Sequence, residues 1–415
     1  MRKRIVILAL GSHVDVQPCV TLGAALQQRG HAVTVATFES FQGLVAGAGL
    51  RHVPVPGDAQ ALTAQMMSAD GISSRNPLRL IRKLMDTFGK AAKAYSHAFS
   101  TPAMLEGEVI LDQLPGGIFG RDLAEKTGAA YFSIAVIPLL RTTQFAAPLL
   151  AAKNLGAPLN DLSYRLSETL LWHFFRPAVA YYRGQLGLTA PSRFFRPSRA
   201  PVLMGISPKV VPPPPDWAKT VHLTGWWRPA DPDWQPPADL QAFLGAGEPP
   251  VFIGFGSMIA NDPATFSQTV FEAIRLSGVR AVIGKGWGTW DDSATHDQVF
   301  QVGFTPYSWL FPRMAAVVHH GGSGTTGAAL TSGVPSMVVA FGADQPFWGQ
   351  RTAALGAGVP PLHIKTLTAE ALAASLRRLV SDPTLKVNAA TLGAQLQAER
   401  GLENAVAALE GYGVR

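Results

Sequence analysis

The residues Val317-Val318-His319-His320-Gly321-Gly322-Ser323-Gly324-Thr325-Thr326 run from an apolar strand through a glycine-rich turn into a helix start. Free backbone N–H groups and the positive end of the helix dipole make such a turn an anion site. Its glycines, Gly322 and Gly324 among them, let the main chain approach a phosphate closely. Ser323, Thr325 and Thr326 lie on the turn, and the two threonines bring hydroxyl donors. His320 is placed to donate to a phosphate oxygen, a charge-assisted bond worth about 1.5–3 kcal/mol. Successive strand residues face opposite ways, so only one of His319 and His320 is expected to face a ligand, which argues against a metal pair. No Lys precedes the threonines, so the turn is not a P-loop.

Three further groups lie at predicted strand ends. Asp344-Gln345-Pro346 offers an acceptor and a donor that suit vicinal hydroxyls. Ser257, in Gly254-Phe255-Gly256-Ser257, either donates to a diphosphate or caps a helix. Near the front, Gly11-Ser12-His13-Val14-Asp15 joins a strand to a helix. Asp15 either caps that helix or serves as a general base toward an acceptor hydroxyl, and His13 is the rival base. Asp231-Pro232-Asp233 has an acid-x-acid spacing known from divalent-ion sites. It sits in a proline-rich connector rather than after a strand, so no metal is expected.

These groups need a scaffold of strands with ligand-binding carboxyl ends. The spacing predicts strands at 5–10, 33–36 and 52–55, with a helix whose first turn holds Pro18 and a short helix over 41–48. Residues 79–88 and 162–186 read as helices, and 108–111 and 130–134 as strands. The prolines from Pro212 to Pro250 mark a stiff connector, with one strand near 221–224. A second alternation follows. Strands are expected at 251–254, 280–283, 299–302, 315–318 and 337–340, and helices at 263–277, 325–332, 369–379 and 389–409. The fold class is therefore α/β, with two doubly wound Rossmann-like domains facing across a cleft. The expected division is 1–210 for an acceptor-binding domain and 211–250 for the linker. Residues 251–395 form a donor-binding domain, and a final helix in 396–415 packs back on the first domain.

Composition narrows the class. The chain has 415 residues, 47% hydrophobic and 15% charged, which suits two compact domains and excludes disorder. The net charge of +7 comes from scattered Lys and Arg with no basic stripe, so an anionic small molecule is expected and nucleic acid is not. Cys19 is the sole cysteine, which excludes an internal disulfide and fits a reducing cytoplasm. No apolar run is long enough to span a bilayer, and only weak peripheral contact through basic groups is envisaged.

In order and spacing, these motifs resemble the UDP-glycosyltransferase superfamily, glycosyltransferase family 1, which has the GT-B architecture. The similarity is to the branch of sterol glucosyltransferases and antibiotic glycosyltransferases. It rests on Gly11-Ser12 through Asp15-Val16-Gln17-Pro18, Gly254 to Met258, Trp309 to Arg313, His319 to Thr326, Gly333-Val334-Pro335 and Asp344 to Gly349. The resemblance implies a metal-independent, inverting transfer of a hexose to a hydroxyl, with no cofactor. The donor would be a UDP-sugar, UDP-glucose first, or a dTDP-sugar. Asp15 takes the catalytic base position, a histidine in the plant branch. His320 and the turn from Gly322 to Thr325 would hold the diphosphate, assisted by Ser257. Asp344 and Gln345 would hold the sugar, and Phe304, Thr305 and Trp309 would lie at the nucleobase. Two departures stand out. His13-Val14 replaces the usual Arg-Gly before the acid, and Ala328 stands where the plant branch has a ribose-binding Glu.

The acceptor is expected to be small, apolar and hydroxylated, such as a sterol, polyketide or flavonoid. Leu171-Trp172-His173-Phe174-Phe175 and Tyr181-Tyr182 either line its pocket or belong to the core. A sugar-nucleotide epimerase and a non-catalytic binding protein are the competing readings. A nicotinamide enzyme is disfavoured, because no Gly-x-Gly-x-x-Gly follows the first strand.

Overall fold

The computed structural model describes residues 2–58, 60, 93–113, 118–150, 153–189, 200–229, 234–286, 290 and 298–415. Two parallel sheets carry the chain. The first contains β1 (Arg4–Leu8), β2 (Ala32–Phe38), β3 (Arg51–Val55), β4 (Val109–Gln113), β5 (Ala130–Ala135), β6 (Val202–Met204) and β7 (Val221–Leu223), in the order β3-β2-β1-β4-β5-β6-β7. The second contains β8 (Val251–Gly254), β9 (Ala281–Gly284), β10 (Val299–Val302), β11 (Ala316–His319), β12 (Ser336–Ala340) and β13 (Leu362–His363), in the order β10-β9-β8-β11-β12-β13. In both sheets the strand order reverses beside the first strand, between β1 and β4 and between β8 and β11. Ligands of open α/β sheets bind at such switch points, outside the carboxyl ends of the strands.

The strands read as continuous apolar runs because helices cover both faces. Ile5, Ile7 and Leu8 are fully buried, as are Val251, Ile253 and Val318 in the second sheet. Eight helices enter the argument: α1 (His13–Gln28), α2 (Ala157–Gln185), α3 (Pro263–Ser277), α4 (Ser323–Ser332), α5 (Gln345–Ala354), α6 (Ala369–Ser381), α7 (Pro383–Gln397) and α8 (Gly401–Gly411). Asp262 caps α3, its carboxylate accepting the Thr265 N–H at 3.0 Å, so Ser257 is not that cap.

Several elements differ from the sequence reading. Helix α1 starts at His13, so Pro18 lies inside it rather than in its first turn. Pro18 lacks an N–H, which leaves the Val14 carbonyl without its usual helical donor. The strand expected near 221–224 is found as β7; it lies within the proline-rich stretch 211–250, yet pairs in parallel with β6 as part of the first sheet. The single helix expected over 389–409 is two helices, α7 and α8, interrupted at 398–400. The helix expected at 79–88 and the Asp231-Pro232-Asp233 triplet lie outside the described residues.

The halves are joined by packing as well as by chain. Met204, Ile206 and Val210 from the first half meet Leu330, Trp348 and Leu392 from the second in one apolar cluster. Helix α8 crosses back onto the first domain, where Ala405, Val406 and Leu409 complete its core. Arg29 of α1 pairs with Glu410 at 3.0 Å. No helix among the described residues is long and apolar enough to cross a membrane.

Candidate functional site

The two switch points face each other. A methyl placed on Gly324, in the first turn of α4, would lie 3.9 Å from the Val14 side chain in the first turn of α1. Two helix N-termini therefore converge on one space, and each presents backbone N–H groups with no intrahelical acceptor. Their dipoles add there in favour of negative charge.

On the first-domain side, Asp15 is held at both carboxylate oxygens. Oδ2 accepts the Ser12 backbone N–H at 2.8 Å and the Ser12 hydroxyl at 3.0 Å. Oδ1 accepts from the Gln113 amide at 3.3 Å, reaching across from the end of β4. Burial pushes its pKa up, and the Ser12 and Gln113 bonds pull back without cancelling the rise. A carboxylate fixed in this way, with raised proton affinity, is a better base than an exposed aspartate. The His13 ring stands 6.2 Å from Phe41, and burial lowers its pKa. Among the described hydrogen bonds, none fixes that ring.

The glycine-rich turn faces this carboxylate from the second domain. Gly321 has φ 94°, a left-handed conformation that suits glycine, and its N–H donates to His319 Nδ1 at 3.1 Å. A Cβ on Gly322 would lie 2.6 Å from His320 Nε2, so no larger residue fits between the turn and that ring. His319 and His320 are both buried, and burial drives their pKa values down to about 3 and about 4. Both are therefore neutral rings near pH 7. His319 Nε2, His320 Nδ1 and Ser323 Oγ are buried polar atoms with no protein partner. Such atoms carry a desolvation cost unless a ligand or water meets them. His320, whose ring a Cβ on Gly322 would meet, and Ser323, the first residue of α4, flank that helix start and fit an anion with several oxygens. Thr325 is buried in the same turn, while the Thr326 hydroxyl is already spent on the Gly322 carbonyl at 2.9 Å.

Asp344 and Gln345 stand beside this turn. A Cβ on Gly321 would lie 3.0 Å from Gln345 Cβ, and one on Gly256 would lie 3.4 Å from His320 Cε1. The end of β8, with the partly buried Ser257, thus joins the same cluster. Asp344 is buried and accepts the Trp348 indole N–H at 2.7 Å. Burial raises its carboxyl to about 6, the indole bond opposes the rise, and the Asp15 charge across the cleft adds to it. Gln345 has less freedom than its type suggests. Its carbonyl oxygen accepts from Phe341 N–H at 2.6 Å and Gly342 N–H at 3.2 Å, and its amide nitrogen touches Met258 Sδ at 3.2 Å.

Phe304, Thr305 and Trp309 are more dispersed. They follow β10, the edge strand, although the short helix Tyr307–Leu310 touches α4. Phe304 is 77% exposed. Thr305 is buried, with its hydroxyl 3.4 Å from the Gly303 carbonyl. The Trp309 ring is already engaged, by Trp234 at 5.0 Å and by the Arg313 guanidinium at 4.3 Å.

The sequence reading missed Ser12, Gln113 and Trp348 as partners of the two acids. A polar Asp112-Gln113 pair ending a buried apolar strand was the signal for Gln113, and the four-residue spacing from Asp344 was the signal for Trp348. Of the proposed acceptor-lining aromatics, Phe175 and Tyr182 are core residues of the first domain. The same helix instead exposes Leu159, Leu162, Leu166 and Leu170, each about half exposed and spaced three or four residues apart.

Residues 289–410 match the family model for the erythromycin biosynthesis protein CIII-like C-terminal domain. The chain is 34% identical to the O-mycaminosyltylonolide 6-deoxyallosyltransferase of Streptomyces fradiae, covering 98% of this chain and 97% of that one. It is 30% identical to a sterol 3-beta-glucosyltransferase of Debaryomyces hansenii, covering 97% of this chain. The chain spans only 26–33% of the length of that enzyme and three similar sterol 3-beta-glucosyltransferases. A solved calicheamicin glycosyltransferase superposes with a TM-score of 0.71 at 17% identity, covering 99% of this chain and 98% of that one. With two Rossmann-like domains meeting at facing switch points and a relative alike over its whole length, the chain belongs to the UDP-glycosyltransferase superfamily, glycosyltransferase family 1, and has the GT-B fold.

Proposed function

We propose that this glycosyltransferase moves a hexose from a nucleoside diphosphate sugar, UDP-glucose first, to a hydroxyl of a small apolar acceptor. The observation that carries the reading is the fixed Asp15 carboxylate opposite a turn with unpartnered buried polar atoms on His320 and Ser323. Asp15 takes the proton of the acceptor hydroxyl. The acceptor oxygen attacks the anomeric carbon from the face opposite the leaving group and inverts it. Charge developing on the departing diphosphate is met by the α4 N-terminus, His320 and Ser323, which are preorganised and shielded from water. Because His320 is neutral, it acts as a hydrogen-bond donor and not as a cation. Asp344 accepts from sugar hydroxyls, and Gln345 serves mainly to hold the loop that carries it. No metal is assigned a step. The exposed leucine row of α2 supports an apolar acceptor.

A second reading, a dTDP-deoxysugar donor, is favoured by the full-length similarity to a 6-deoxyallosyltransferase. The test is nucleotide release from a panel of UDP- and dTDP-sugars, with and without pooled apolar hydroxylated acceptors, in chelator. Acceptor-dependent release that survives chelation supports the transferase reading and names the donor. Release without acceptor points to hydrolysis or epimerisation, and release lost to chelator removes the metal-independent reading.

A further inference from the structure

A second polar cavity lies far from the cleft. It has a volume of about 460 Å³ and opens at the amino ends of β1, β2 and β3, lined by Arg2, Arg4, His31, Thr34, Arg51 and Glu106 among others. Arg4 starts β1, whereas Asp15 lies beyond its carboxyl end, so the two sites occupy opposite edges of one sheet.

Strand register brings these side chains together. Val6 pairs with Thr34 and Thr34 with Arg51, while Arg4 pairs with Ala32. Residues in register, and those two apart along a strand, project from the same face. Arg4, Thr34 and Arg51 therefore share one face, with the two arginines on strands about 10 Å apart. His31 closes the cavity and is 5% exposed. Its Nδ1 accepts the Lys3 N–H at 3.3 Å, which assigns the ring proton of the neutral form to Nε2. Thr34 is also buried, and its hydroxyl makes no described hydrogen bond.

The charges do not balance. Lys3 and Arg4 share Glu108, at 3.8 and 3.6 Å. Arg2 and Arg51 have no ion pair among the described residues, and Glu106 is the one acid lining the cavity. Arg4 is engaged further, its Nε–H donating to the Glu106 backbone carbonyl at 2.8 Å. The guanidinium forks of the exposed Arg2 and Arg51, beside the Thr34 hydroxyl and the His31 imidazole N–H, are therefore the donors left without acceptors among the described residues, a set that matches a tetrahedral oxyanion.

We propose that this cavity is a second anion site, separate from the cleft, that takes a phosphate monoester dianion between Arg51 and Arg2. The monoester is either a soluble metabolite or the headgroup of an anionic lipid, and one experiment separates these sources. The full-length protein is titrated with inorganic phosphate at pH 7.5 by calorimetry, against chloride of matched ionic strength. The same protein is then sedimented with phosphatidylcholine vesicles containing phosphatidic acid. Variants are Arg51→Ala, Arg2→Ala with Arg51→Ala, and His320→Ala, with circular dichroism as the check on folding. The expected result is saturable phosphate binding that weakens at least about tenfold in the double variant and persists in His320→Ala. Sedimentation that is lost in the double variant and competed by phosphate assigns the lipid source. Phosphate binding without sedimentation assigns the soluble one. Binding no stronger than chloride, binding unchanged in the double variant, or binding lost only in His320→Ala each overturns the proposal.

Discussion

Replacing Trp348 with phenylalanine is expected to move the pH dependence of donor use upward. Asp344 has its carboxyl raised to about 6 even though the Trp348 indole donates to it at 2.7 Å. Hydrogen bonds to a charged group are worth about 1.5–3 kcal/mol, and one pKa unit is about 1.4 kcal/mol. Removing the indole N–H therefore raises the carboxyl by roughly one to two units. At pH 7 about nine-tenths of Asp344 is ionised in the parent, and roughly a quarter would be in a variant shifted by 1.5 units. If the ionised carboxylate accepts the sugar hydroxyls, kcat/KM for donor falls about three- to fourfold at pH 7 and recovers near pH 9. The assay is initial-rate nucleotide release against donor concentration, from pH 5 to 9.5. Trp348 is fully buried, so the variant also loses packing. A packing loss lowers the melting temperature without moving the midpoint of the pH profile. A midpoint that stays near 6, or moves down, would refute the assignment of Asp344 as an ionised sugar ligand.

Asp15→Asn should abolish transfer while leaving nucleotide affinity, read by calorimetry, nearly unchanged; substantial residual turnover would transfer the base role to His13. Asp344→Asn should stabilise the fold near neutral pH. The folded carboxyl lies at about 6 against an ordinary 3.8, so the parent loses stability as pH rises through that window, by an upper estimate of about 3 kcal/mol. Denaturant melts at pH 4 and 7.5 check the sign, which is wrong if the variant gains nothing at the higher pH. Gly322→Ala places a methyl 2.6 Å from His320 Nε2, and a forced shift of that size costs about 1–3 kcal/mol. Donor affinity should fall about tenfold or more, and an alanine variant with parental affinity would show that His320 yields freely.

The parts of the fold legible in the sequence were those fixed by local chemistry. Helix α3 runs from Pro263 to Ser277 as expected, because Asp262-Pro263 caps its start and Gly278, at φ 72°, ends it. The glycine-rich turn was equally legible, since strand, turn and helix signals lie within ten consecutive residues. Errors arose where a local signal had a competitor. Pro18 suggested a helix start, but Ser12 and Asp15 start that helix five residues earlier. The strand expected near 221–224 is present as Val221–Leu223, but the proline-rich surroundings hid its membership of the first sheet beside β6. The partners of the site were hidden for a different reason. Gln113 and Asp15 are 98 residues apart, and the engagement of Trp309 by Trp234 depends on packing that no spacing rule encodes.

The return of α8 to the first domain bears on how the protein is made. Residues 401–411 emerge from the ribosome long after the first sheet has been synthesised, yet Ala405, Val406 and Leu409 belong to its core. The nascent first half therefore carries an open apolar face through most of translation, and Arg29 waits 381 residues for Glu410. The first domain cannot close its core ahead of the second, because α8, which follows the second sheet in the chain, supplies part of that core. Chaperone demand should accordingly stay high until α8 is released, and a chain stalled before α8 should expose the seam along α1 while the second sheet is already folded.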